Sequence, residues 1–389
     1  MRKQANRWLV AVFLLFFIFS GIHMTAFGEE PAKDPLAQLE EEMGIGEEIQ
    51  RIQEYLDGLR PEGRTVSLTD LMQVIIQGNM KEIVNTAGKL LEDALFSQAK
   101  EGQALLVQVA VLGLTGAVFS HAASAFKGSQ IPETAFYMIY LLIFTCLAGS
   151  FLSSIQITDQ ILEFVRLLMP AYFISVAFAG GSTSAAAFYE IALGAAWAVQ
   201  WLCRQVFLSI VRVYGLLVLG DHMMEEPFFS KMTELMEKIV SWGLRSILGL
   251  TLGLQILQSL VLPYADSAGR SAIMKFAEMI PGLGQATGAA ARLVFGSSVL
   301  IKNSLGAAAV LILAVITLVP VVKLAVLMVM YQGAAALLQP VCDKRIISCI
   351  QGMAAGHGLL LRITLYSLFL FILVIAITCA GTNVTYLAA

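Results

Sequence analysis

Charge is what this chain has least of. Asp, Glu, Lys and Arg together make 14% of its 389 residues, where a soluble globular domain carries roughly 25%. Apolar residues, at 58%, take their place. A formal net charge of −3 excludes the basic footprint of a nucleic-acid binder. Signatures of chemistry are missing too. There is no Walker A sequence for nucleotide hydrolysis and no His-Glu-x-x-His for a zinc protease. No Asp falls within the apolar runs delimited below, so the paired aspartates of an intramembrane protease have no candidates. The histidines His23, His121, His222 and His357 are scattered. Cys146, Cys203, Cys342, Cys349 and Cys379 lie mostly in apolar stretches, which speaks for packing rather than a disulfide framework. Cys342 and Cys349 are seven apart, and two thiols do not define a metal site. The residues therefore predict no catalytic, cofactor or metal site.

What the chain does have is apolar length. Arg2, Lys3 and Arg7 precede an apolar stretch from Leu9 to Phe19, and Ala26-Phe27-Gly28 is a small-x-small cleavage site. Residues 1–28 read as a signal peptide. Residues 29–101 read as an exported, acidic helical segment. They hold sixteen Asp and Glu against seven Lys and Arg, a net charge of −9. Leu36, Leu39, Met43, Ile49, Ile52, Tyr55 and Leu59 have helical spacing, as do Leu68, Leu71, Ile75, Ile83, Ala87, Leu90 and Leu91. Pro61-Glu62-Gly63 separates the two sets.

Successive apolar runs follow, each long enough for the roughly 20 residues that cross a bilayer. Gln103–Phe126 and Ala135–Ile155 form two leading spans within residues 102–158. Later runs cover 161–181, 184–220, 239–262, 272–296, 304–338 and 357–380. The expected fold class is thus all-α: a polytopic α-helical membrane protein with an exported N-terminal segment. The runs 184–220 and 304–338 are too long for one straight crossing and are expected to break or to project from the bilayer. Arg204 and Gln205 interrupt the first, and Pro320 is a kink site in the second. Residues 227–240 and 341–353 read as helices lying in the membrane interface.

An internal duplication is expected between residues 159–271 and 272–389. Met169-Pro170 answers Ile280-Pro281, and Leu193-Gly194-Ala195-Ala196 answers Leu305-Gly306-Ala307-Ala308. Val211-Arg212 answers Val322-Lys323, and Pro227 answers Pro340. Residues 221–238 are acidic, whereas Lys344 and Arg345 outnumber Asp343 in 341–356. Positive charge favours the cytoplasmic side. On that basis the two units read as inverted, with three crossings each, eight spans in all, and a C-terminus outside the cytoplasm.

Charged residues inside apolar helices are costly and mark polar paths or internal pairs. Arg212 and Lys323, at matched positions, are the leading candidates for a polar or pore-facing role, with Glu190 as a possible partner. Arg204 marks either a break at the membrane surface or polar lining. Pro281, in Pro281-Gly282-Leu283-Gly284, marks a kink or a discontinuous helix at a cavity. Gly180-Gly181-Ser182-Thr183-Ser184 is a small-residue turn.

Three stretches carry a resemblance: Gly181-Ser182-Thr183-Ser184-Ala185-Ala186-Ala187-Phe188, Leu300-Ile301-Lys302-Asn303-Ser304-Leu305-Gly306, and Pro320 through Lys323 and Tyr331 to Leu338-Gln339-Pro340. With the layout of signal peptide, acidic segment and polytopic body, they resemble the stage III sporulation protein AE family over residues 100–381. The resemblance implies a place in the mother-cell membrane around the engulfed forespore. It implies partnership with the AA to AH proteins and the forespore Q protein in a channel complex like a secretion system or feeding tube. The polytopic member would be its non-enzymatic platform or conduit. The family supplies no catalytic or ligand residues. The residues alone also suit a secondary transporter of a small solute, built on the inverted repeat with Arg212 and Lys323 inside.

Overall fold

The structure, a computed structural model, describes residues 80–123, 131–178, 194–223, 228–278 and 317–387, with residues 310 and 313–314. The signal peptide, most of the acidic segment, Glu190 and Pro281 lie outside the described residues. All regular structure among the described residues is helical. Helix α1 is Met80–Ala123 and α2 is Ile131–Phe178. A span Gly194–Asp221 contains a π-helical turn, Leu202–Phe207, and ends in α3, Leu208–Asp221. Then come α4, Ser230–Glu278, α5, Thr317–Leu338, and α6, Lys344–Leu387.

Five of these stretches are long and apolar enough to cross a membrane: Leu95–Phe119, Phe136–Met169, Gly194–Asp221, Thr317–Leu338 and Lys344–Ala376. A lipid-facing surface explains their exposure pattern. Val107, Val111, Leu114 and Val118 of α1 and Met138, Leu141 and Leu142 of α2 point away from the core, where a soluble protein would carry polar groups. Helix α6 is the most enclosed, with Leu359, Leu360, Ile363, Thr364 and Ser367 buried.

Several helices are longer than the sequence pattern implies. The runs Ala135–Ile155 and 161–181 belong to one helix, α2, of 48 residues. Asp159, between them, does not end it, and Ser154 and Thr158 beside it bond back to carbonyls four residues earlier, which keeps their hydroxyls satisfied inside the helix. Asp159 consequently lies within a candidate span, contrary to the expectation that no Asp would. Helices α1, α2 and α4 also run unbroken through residues 101–102, 158–159 and 271–272, where segment boundaries are expected. Residues 344–353 are the first turns of α6 rather than a separate interfacial helix, with Ile346, Ile347, Cys349 and Ile350 buried in the bundle. Residues 230–240 likewise begin α4. At about 1.5 Å per residue, the 44 residues of α1 reach roughly 65 Å, about twice the bilayer's apolar core.

Contacts fix the direction of each helix. Gly116 lies against Ile139, so α1 and α2 are antiparallel neighbours. Gly102 lies against Val326 and Met330 and Gly113 against Leu338, so α1 and α5 run the same way. Tyr140, near the start of α2, donates to the Leu219 carbonyl near the end of α3 at 2.6 Å, and Arg204 reaches Asp159 farther along. The span ending in α3 is therefore antiparallel to α2. Gly243 against Phe207 makes α3 and α4 a hairpin, and Met328 against Gly358 does the same for α5 and α6. The described helices α1 to α6 thus alternate in direction.

This order corrects the inverted arrangement. The hairpins α3–α4 and α5–α6 run in the same sense, and both their turns lie at one end, bracketing Tyr140 between Leu219 and Cys349. The acidic count misled because the side rule counts Lys and Arg, not net charge. Lys231 and Lys238 in one stretch equal Lys344 and Arg345 in the other. Glu234 is moreover paired, at 2.8 Å to Lys238 and 3.3 Å to Lys231, and those hydrogen bonds hold its carboxyl below the usual range.

The core is closed by small-to-large matches. The Phe151 ring, 3% exposed, fits against Gly215 of α3 and Gly356 of α6. A Cβ on Gly215 would stand 2.0 Å from that ring. Without a hydrophobic driving force in lipid, such close approach is a main source of helix association.

Candidate functional site

Polar side chains inside the bundle gather at three levels. Nearest the two turns, Asp221, 2% exposed, accepts the Phe229 backbone N–H at 2.7 Å and so fixes the link from α3 to α4. Tyr140 binds the Leu219 carbonyl beside it, and the Tyr214 hydroxyl donates to the Gly352 carbonyl at 3.1 Å. The guanidinium of Arg345 lies 3.6 Å over the Phe136 ring and also bonds Asp343.

Farther from the turns, a cleft of about 150 Å³ opens between α1, α2 and α5, lined by Gln98, Glu101, Gly102, Leu105, Ser150, Ser153, Lys323 and Leu327. Lys323 Nζ lies 3.4 Å from Glu101 at its mouth. At about 1.5 Å per residue, Lys323 is roughly 22 Å along the helix from the end of α5. Arg212 has a different setting. It is exposed on α3 and has no ion-pair partner among the described residues. The two are matched in sequence but face different surroundings. The lysine lines this cleft and Arg212 does not.

Deeper still, Arg204 sits in the π-helical turn. Its Nε donates to Asp159 Oδ1 at 2.8 Å, its Nη2 to Asp159 Oδ2 at 3.4 Å, and its Nη1 contacts Glu163. All three side chains are about three-tenths exposed. Arg204 thus does not break the helix; the widened turn carries it across to two carboxylates on α2. Asp159 and Glu163 are four apart and share a helical face. Nearby, Ser367 donates to Gln200 Oε1 at 2.7 Å, and Arg362 donates to Ser241 Oγ at 3.0 Å.

Sequence reading did not single out Asp159, Glu163, Glu101, Gln200 or His357. The signal for the first two was their four-residue spacing, which was split because Asp159 falls between the runs Ala135–Ile155 and 161–181 while Glu163 falls inside the second. No group of three or more His, Cys, Asp or Glu side chains able to hold a metal occurs among the described residues. Cys146, Cys203, Cys342 and Cys349 are free thiols.

Comparison with known proteins bears on the whole bundle. The family model described as stage III sporulation protein AE matches residues 66–382. The stage III sporulation protein AE of Bacillus subtilis (strain 168) is 25% identical over 359 residues, covering 91% of this chain and 89% of the relative. No solved structure matches.

Proposed function

Because the chain belongs to the stage III sporulation protein AE family, we propose that it is a non-enzymatic, multi-pass membrane component of the sporulation channel complex between mother cell and forespore. It acts there as platform or conduit. Its partners in this reading are the other stage III A-operon membrane proteins and the forespore Q protein. Its home is the mother-cell membrane, with residues 29–101 and the C-terminus outside the cytoplasm. The observation that carries the proposal is the family match over residues 66–382, on a chain with five helices able to cross a membrane. The alternation of helices adds support, since the start of α1 and the end of α6 point to the same end of the bundle.

Affinity isolation of the tagged chain from sporulating cells tests the proposal. The partner proteins should copurify. Recovery of the chain alone, at full membrane abundance, would overturn it.

Lys323 gives a residue-level expectation. As a partly exposed ion pair with Glu101, its structural worth is below about 1 kcal/mol. In a polar passage its charge matters more than that. Lys323→Leu should therefore leave insertion and abundance normal while reducing heat-resistant spore yield. Wild-type yield from this variant would assign the lysine to structure only.

A further inference from the structure

Between α2, α5 and α6, three buried polar atoms have no hydrogen-bond partner among the described residues: Ser150 Oγ, Tyr331 OH and His357 Nε2. They belong to one cluster. The Tyr331 and His357 rings are 5.0 Å apart between centroids, and His357 packs edge-on against Phe151 at 5.4 Å. The Tyr331 hydroxyl stands beside Ser150, without the geometry of a direct bond.

The imidazole's tautomer follows from its one bond. His357 Nδ1 lies 2.8 Å from the Met353 carbonyl oxygen, which only accepts, so Nδ1 carries the proton. In the neutral ring, Nε2 is then a bare acceptor. The residue is 0% exposed, and Tyr331 is 2% exposed. A buried acceptor left without a donor is strongly disfavoured, and ordered water is the usual remedy. A source of water is adjacent. Ser150 also lines the cleft whose wall carries Gln98, Glu101, Ser153 and Lys323. At about 30 Å³ per molecule, a cleft of about 150 Å³ has space for a few waters.

We propose that the cleft is hydrated and that its water continues past Ser150 to Tyr331 and ends as a hydrogen-bond donor to His357 Nε2, forming a water site inside the membrane bundle. Ser150 and Tyr331 serve as relays, each able to accept from one water and donate to the next. The site stands independently of the chain's place in any assembly.

Water-edited solid-state NMR on the isotope-labelled full chain in lipid nanodiscs tests this without altering a residue. Magnetisation from water should reach the His357 ring several-fold faster than the equally buried Leu360 and Ile363. Equal build-up at all three would overturn the proposal. Thiol chemistry supplies a second reading in the full chain in vesicles. With a small, charged methanethiosulfonate, the thiols introduced by Ser150→Cys and, separately, Tyr331→Cys should each react at least tenfold faster than native Cys203 in the same chain. Reaction at the first but not the second would limit water to the cleft and overturn the continuation to His357.

Discussion

Arg204→Leu should be among the most damaging single substitutions in the bundle. It leaves Asp159 and Glu163, on one face of α2, without the one guanidinium that pairs with both. Breaking a buried pair by removing one partner costs about 3–5 kcal/mol, and these partly exposed groups reduce that to about 2–3 kcal/mol. The cost should appear as lower membrane abundance and earlier unfolding of the purified chain in detergent. Removing the carboxylates as well separates charge from packing. The triple variant Arg204→Leu, Asp159→Leu, Glu163→Leu should recover much of the loss, since an apolar set of similar volume can replace a buried ionic one. A triple variant no better than Arg204→Leu alone would mean that the network matters through shape. The position of the arginine adds a second expectation. The π-helical turn from Leu202 to Phe207 is a local widening of the helix. Such turns occur often at functional sites.

Phe151→Ala should be comparably severe for a different reason. Its ring fills the space left by two glycines, one on α3 and one on α6, and touches His357. In water-soluble cores Phe→Ala costs about 3–5 kcal/mol. In lipid the transfer part falls away, because acyl chains are as apolar as the core, and about 2 kcal/mol of packing remains. Unfolding titrations of the purified chain measure this. The complementary substitution Gly215→Ala places a methyl group into the ring and should destabilise by about 1–3 kcal/mol. Combining Gly215→Ala with Phe151→Leu should cost less than the two single changes together, because the smaller side chain makes room for the new methyl group. Strict additivity would show that the ring and the glycine do not share a contact that matters.

The sequence made the membrane class plain, because long apolar runs and scarce charge admit little else. Helix continuity was harder to read. Asp159 falls between two apolar runs and Glu163 at the start of the second, and their joint place on one helix makes sense only once Arg204 is brought against them, 45 positions beyond Asp159. Position along a helix was legible for Lys323, but its surroundings were not. Glu101 pairs with it from α1 and Ser150 of α2 lines the same cleft, and no pattern within α5 announces them. Direction was the least legible property. A surplus of carboxylates near residue 230 looked like a marker of side, yet Glu234 is neutralised locally by Lys231 and Lys238. His357 shows the same limit. Its position in an apolar helix could be seen, while the unsatisfied nitrogen exists only in the packed bundle.

The common sense of the two hairpins α3–α4 and α5–α6 has a consequence for symmetry. Hairpins that run the same way cannot be related by an axis in the membrane plane, which is what inverted units need. Turning about the normal never exchanges the two faces of a bilayer. Each hairpin turn, with Asp221 in one and Lys344 and Arg345 after the other, therefore meets the same compartment. The pair is a directional object, whose two faces remain chemically distinct however many copies stand side by side.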